Sequence, residues 1–244
     1  EELKQAVKPF KKTRILASVL QSPTGTSEME IILLYLNVLF LLPQIAQVYI
    51  YNQVKAHQKE AQKLLDLLGE MEVAISLLRH KRDLEVVCQP VFTETGGIEG
   101  ETLYHPLLSN PIANDVHFQK NMVISGDNAS GKSTYLKTVA INAILAQGLG
   151  LAYGESLALP YGHVLTAMDV SDDIEVGDSY FITESKAILR MIQHLKKPGF
   201  HYFFIDELFK GTNTIERIGS GLGIVLWLAA QNCLYMISSH DIEL

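Results

Sequence analysis

The residues best equipped for chemistry lie in three short runs. The first is Gly126-Asp127-Asn128-Ala129-Ser130-Gly131-Lys132-Ser133, which fits G-x-x-x-x-G-K-[ST] at every defined position and continues into Thr134. Glycines there let backbone N–H groups curl around phosphate oxygens with no Cβ in the way. A helix starting at the end of such a loop adds partial positive charge. Lys132 then suits the β- and γ-phosphates of a nucleotide, and the Ser133 hydroxyl suits Mg²⁺.

The second run, His201-Tyr202-Phe203-Phe204-Ile205-Asp206-Glu207, is an apolar strand ending in two acids. Carboxylates are costly in such a setting without a task. Asp206 suits a Mg²⁺ shell, and Glu207 suits the orientation or deprotonation of an attacking water. The third, Leu234 to His240, is another apolar run, ending in Ser238, Ser239 and His240. His240 has two readings, a sensor of the γ-phosphate or an ordinary histidine after a strand. The guanine-reading pattern N-K-x-D is missing, so ATP is the expected nucleotide.

These runs require strands that end together. Met122 to Ser125 reads as a short strand entering the loop. Ser133 to Gln147 reads as a helix leaving it, with Leu136, Val139, Ala140, Ala143 and Ile144 on one face. Short apolar runs alternating with helical stretches after residue 88 predict an α/β domain with a mixed, mostly parallel sheet. The boundary is placed there, with a helical segment over 1–88 and the α/β domain over 89–244.

Within the first segment, residues 54–83 read as one long helix, with Leu64, Leu67, Leu68, Met71, Ala74, Leu77 and Leu78 at helical spacing. Ile31 to Ile50 is a run of twenty mostly apolar residues. It reads as a buried or partner-covered helix, a membrane span, or a membrane-facing surface. Asn37, Gln44 and Gln47 interrupt it, and Pro43 is expected to break or kink a helix near its middle. Lys4, Lys8, Lys11, Lys12 and Arg14 form a short basic cluster, read as a solvated helix end or a phosphate-touching arm.

Across its 244 residues the chain is 48% hydrophobic and 19% charged, which excludes extensive disorder. Its net charge of −7 argues against gripping nucleic acid by bulk charge. Two cysteines, Cys88 and Cys233, cannot form a disulfide framework and point to a reducing, cytoplasmic setting. Residue 1 is Glu rather than Met, so a piece of a longer protein is expected.

The combination resembles the MutS family of DNA mismatch-repair and recombination ATPases. The resemblance covers roughly residues 54–244 and is most specific over 104–244. It is carried by Tyr104-His105-Pro106, Pro111-Ile112-Ala113-Asn114-Asp115, the glycine loop SGDNASGKSTYLKT, SDDIEVGDSYFITE at 171–184, FFIDELFKGTNT at 203–214 and SSHDIEL at 238–244.

The resemblance implies a P-loop ATPase that uses ATP and Mg²⁺ and forms a homodimer with two composite sites. Ser179 is similar to a serine that reaches the partner's nucleotide. Gly211, Thr212 and Asn213 are similar to a loop at the dimer interface, and His240 to a histidine near the γ-phosphate. The helices before residue 88 resemble the end of a lever linking DNA clamps to the ATPase. DNA is the implied partner, gripped mainly through regions outside these residues, with downstream repair proteins beyond it.

Three departures stand out. Pro111 occupies the place of an adenine-stacking aromatic, leaving Ile112 to give apolar contact. Glu155 falls where the family has a loop glutamine. No mismatch-reading domain is recognisable in these residues, and the apolar run 31–50 resembles instead a divergent subgroup that carries membrane segments. Two functions therefore stay open: an ATPase module of a DNA-binding protein, or a nucleotide-gated scaffold or membrane-associated ATPase. An ABC-type transporter reading lacks the Leu-Ser-Gly-Gly run expected before the Asp-Glu strand.

Overall fold

Helical texture gives way to α/β texture at Asp83. The chain divides into two units, Glu1–Asp83 and Leu84–Leu244. A computed structural model describes all residues except 14–16, 18–27, 85, 128–129, 169–179, 211 and 241–244. The boundary precedes residue 88 because Cys88 and Ala152 already exchange backbone hydrogen bonds at 2.9 and 3.0 Å, tying residue 88 to the second unit.

The first unit contains α1 (Glu2–Val7), a 3₁₀ turn (Lys8–Phe10), α2 (Glu28–Leu39), α3 (Leu42–Ala56) and α4 (Gln58–Arg82). The apolar run 31–50 is split between α2 and α3. Leu41 takes a left-handed conformation (φ 51°), and Pro43 sits in the first turn of α3, where its missing N–H costs nothing. No helix among the described residues is long and apolar enough to cross a membrane.

The expected helix over 54–83 is likewise two helices. His57 leaves helical geometry (φ −119°, ψ 43°), and its ring meets Phe10 edge-on at 6.2 Å. Residues 54–56 therefore close α3. On α4, Leu64, Leu67 and Leu77 are half-buried, whereas Leu68, Met71 and Leu78 are exposed. Lys63 reaches Glu2 at 3.3 Å, joining α4 to α1.

The second unit holds β1 (Val91–Thr93), β2 (Ile98–Leu103), β3 (Asn114–Phe118), β4 (Met122–Ser125), α5 (Lys132–Leu149), β5 (Ser156–Pro160), β6 (Gly162–Ala167), α6 (Tyr180–His194), β7 (Phe200–Asp206), α7 (Thr214–Ala229) and β8 (Leu234–Ser239). They form two four-stranded sheets rather than one. The order β4-β8-β7-β6 is parallel throughout. The order β1-β5-β2-β3 is parallel only between β1 and β5, with β2 antiparallel to both β5 and β3.

The expected mixed, mostly parallel strand pairing is found, divided between two sheets, with its antiparallel part confined to β2. Strand β2 is followed by β3 without an intervening helix, so the two pair antiparallel, and β5 joins them after α5. Gly97 permits the close β2–β3 approach, since a Cβ there would lie 1.8 Å from the Phe118 carbonyl oxygen.

Helix α5 fills the space between the sheets. Leu136, Val139, Ala140 and Ala143 pack with Ile98, Phe118 and Leu157 from one sheet and with Tyr202, Phe204 and Met236 from the other. Ile144, expected on that face, is 47% exposed. Phe203 and Ile205 point to the opposite side, where Ile188, Met191, Val225 and Leu228 of α6 and α7 cover them. Strand β7 is therefore apolar along both faces, as a strand buried from both sides must be.

Candidate functional site

Parallel strands end on one edge, and β4, β7 and β8 deliver the three runs there. Register places Asp206 opposite Ser238 and Ser125 opposite Ser239. The loop after β4 turns into α5 at Gly131, whose φ of 93° suits a residue without Cβ. The next residue, Lys132, is 8% exposed. Its ammonium donates to the Gly126 carbonyl at 2.7 Å and the Asp127 carbonyl at 2.9 Å. It also lies 3.4 Å from His240 Nδ1.

Asp206 Oδ1 accepts from two hydroxyls, Ser133 Oγ at 2.7 Å and Ser238 Oγ at 2.5 Å. The chain then turns sharply. Glu207 is left-handed (φ 58°), and its N–H donates to the Ser238 carbonyl and hydroxyl, each at 3.2 Å. Its carboxylate is held from two sides, by His240 Nε2 at 2.5 Å and Lys210 Nζ at 2.9 Å.

One tautomer satisfies the histidine. Lys132 carries only donors, so His240 Nδ1 accepts and Nε2–H donates to Glu207. Lysine, imidazole and carboxylate thus form a continuous chain.

These groups border a cavity of about 470 Å³, lined by Ser130, Lys132, Ser133, Glu207, Lys210 and His240 among others. A second cavity of about 650 Å³ shares Ser130, Gly131, Lys132 and Thr134 with the first. Its remaining wall includes His105, Leu108, Ile112 and Tyr135, which makes it the more apolar of the two. Ile112 is 82% exposed there. Burial, together with the Lys137 charge, lowers the His105 pKa, and burial raises that of Tyr135.

Of the expected site residues, Gly126, Asp127, Ser130, Gly131, Lys132, Ser133, Thr134, Asp206, Glu207 and His240 come together on this edge, with Ile112 on the adjoining wall. Asn128, Ala129, Ser179 and Gly211 lie outside the described residues. Thr212 and Asn213 stand at the head of α7. There Asn213 accepts the Glu216 N–H at 3.0 Å, and Thr212 Oγ1 donates to the Glu216 carboxylate at 2.7 Å. Side-chain hydrogen bonding to the Glu216 carboxylate, by Thr212 first and then Asn213, lowers its pKa.

Glu155 sits elsewhere, bordering a cleft with Glu99 and His117. Sequence reasoning missed Lys210 and Ser238 as partners of the acids. Both lie inside runs already singled out, but only the fold aims them.

The chemistry of the donor set fits a hard cation. Ser133 lines the cavity and donates to the Asp206 carboxylate just behind it, so a hydroxyl and a carboxylate oxygen lie side by side, the kind of oxygen ligands Mg²⁺ takes with phosphate and water. No cluster of three or more His, Cys, Asp or Glu that could hold a metal by itself exists among the described residues.

The arrangement defines a mixed α/β protein whose parallel sheet gathers lysine, two acids and a histidine at the carboxyl ends of its strands. A family model described as MutS domain V matches residues 122–244. The chain belongs to the MutS family. It is similar to MutS protein homolog 4 of Homo sapiens, with 30% identity over 79% of this chain and 21% of that protein. It is also similar to the DNA mismatch repair protein MutS of Thermotoga petrophila, with 27% identity over 79% of this chain and 25% of that protein. The chain thus spans about a fifth to a quarter of these curated relatives.

Proposed function

We propose that the Leu84–Leu244 unit is a P-loop ATPase module that binds Mg·ATP and hydrolyses it to ADP and phosphate. One observation carries this reading: Lys132, Ser133, Glu207 and His240 line one cavity at the edge of a parallel sheet, with Asp206 accepting the Ser133 hydroxyl behind it. In this reading Lys132 and the loop N–H groups hold the phosphates, with Gly126 to Thr134 forming the cradle. Ser133 and Asp206 would hold Mg²⁺, which neutralises charge on the phosphates when bound. Glu207 orients the attacking water, and His240 fixes the Glu207 carboxylate while facing the γ-phosphate. The more apolar cavity beside Ile112 and Tyr135 takes the adenine. Catalysis then rests on positioning and electrostatics.

At the level of the whole protein, we propose a homodimer in which ATP-dependent closure is coupled to mismatched or branched DNA. Ser179, Gly211, Thr212 and Asn213 would contribute across the interface, in the cytoplasm. The names of the relatives support this reading. A scaffold or membrane-associated role is favoured by a different observation: Tyr35, Leu39 and Phe40 around the α2–α3 turn are 71%, 74% and 57% exposed. Titrating the full-length protein with mismatched, branched and homoduplex DNA across salt, with and without ATP, separates the two. Salt-sensitive, ATP-dependent binding supports the DNA role, and no binding at low salt overturns it.

A further inference from the structure

Directly behind the acids lies a third carboxylate that the proposed chemistry does not use. Glu184 belongs to α6 and is only 6% exposed. It borders a small void together with Ile205, Asp206, Glu207, Leu208 and Phe209. Its Oε1 accepts the backbone N–H of Lys210 at 3.2 Å. The segment it grips is unusual. Glu207 and Phe209, neither of them glycine, are both left-handed, at φ 58° and 55°. Such conformations persist only where surrounding contacts over-determine them.

We infer that Glu184 is a positioning residue for Glu207. Its carboxylate pins the far end of the Glu207–Lys210 turn, and that turn aims the Glu207 side chain. The same anchor fixes the backbone from which Lys210 reaches Glu207 Oε2. At the near end, the Glu207 N–H is already held by Ser238 on β8. The turn is thus gripped from β8 and from α6, and a shift of α6 along its axis would reach Glu207 through one hydrogen bond. The turn is thus held by a buried carboxyl oxygen that accepts a backbone N–H, in addition to apolar packing.

The catalytic consequence rests on the ATPase reading, while the structural one does not, so the test reads both. In the full-length protein, E184A removes the acceptor and E184Q keeps an acceptor oxygen of the same reach. Native-state hydrogen exchange is followed at the Lys210 amide, with global stability measured alongside. The expected result is exchange at least about tenfold faster in E184A, with E184Q close to wild type.

For turnover, E184A is expected to lower kcat by about 10- to 100-fold while Mg·ATP affinity stays within about twofold, and E184Q to restore kcat. Unchanged Lys210 protection in E184A would overturn the inference. So would an E184Q variant that behaves like E184A. If the wild-type protein does not hydrolyse ATP, the ATPase reading fails, and the amide exchange alone still decides the role of Glu184.

Discussion

His240 Nε2 stands 2.5 Å from Glu207 Oε1, so the first residue after β8 holds the acid that follows β7. Its other ring nitrogen faces Lys132 Nζ at 3.4 Å. The imidazole is therefore a spacer between Lys132, proposed to bind the phosphates, and Glu207, proposed to orient the water. H240A should free the Glu207 side chain without emptying the phosphate cradle. Expected is a kcat lowered by about 10²-fold with nucleotide affinity nearly unchanged, measured by steady-state turnover beside equilibrium binding. Equal losses of both would place His240 in binding alone.

Asp206 accepts from Ser133 and Ser238 through a single oxygen. In D206N the amide oxygen can still accept both hydroxyls, so folding is retained while the negative charge is lost. The Mg²⁺ concentration giving half-maximal turnover should rise by about tenfold or more. An unchanged Mg²⁺ requirement would remove Asp206 from the metal's coordination shell.

How much of this was legible beforehand differs element by element. The glycine loop, β4 and β7 were readable because each is a contiguous run with its own spacing. The Asp-Glu pair was readable because acids at the end of an apolar strand need a reason. The separate mixed sheet was not, because β5 reaches β1 and β2 only across the whole of α5, a long-range pairing that local pattern does not encode. The hold of Glu184 and Lys210 on the Glu207 turn was equally hidden. It depends on left-handed backbone at Glu207 and Phe209, and no glycine marks the place. At His57 the helical period runs straight through a break that tertiary contact with Phe10 accompanies.

His163, His194 and His201 cluster at the opposite edge of the parallel sheet, with ring centroids 4.8 to 5.7 Å apart. Burial is the first cause lowering the pKa of His194, followed by the charges of Lys197, His163 and His201. Burial and the His163 charge likewise lower that of His201, against the carbonyls of His194 and Gly199. A lowered base binds fewer protons folded than unfolded. Its stabilisation is therefore complete above the ordinary value of 6.5 and lost as pH falls below it. The urea midpoint should drop on acidification from about pH 7.5 to about pH 5, and H163Q should flatten that drop. An identical slope in the variant would contradict this origin.

Asn213 caps α7 by accepting the Glu216 N–H. N213A should cost about 1 kcal/mol of stability by thermal or denaturant unfolding. N213D, which keeps an acceptor at the positive end of the helix, should recover most of it. No loss in N213A would mean that the cap is satisfied by other groups.

The central claim is that Lys132 binds the phosphates and Glu207 acts on the water. The most direct measurement is single-turnover ATP hydrolysis by the full-length protein with Mg²⁺, for wild type, K132A and E207Q. Expected are Mg²⁺-dependent turnover in wild type and weakened ATP binding in K132A. E207Q should bind ATP at near wild-type affinity but hydrolyse it about 10²-fold more slowly or worse. Hydrolysis at the wild-type rate in both variants would contradict the claim.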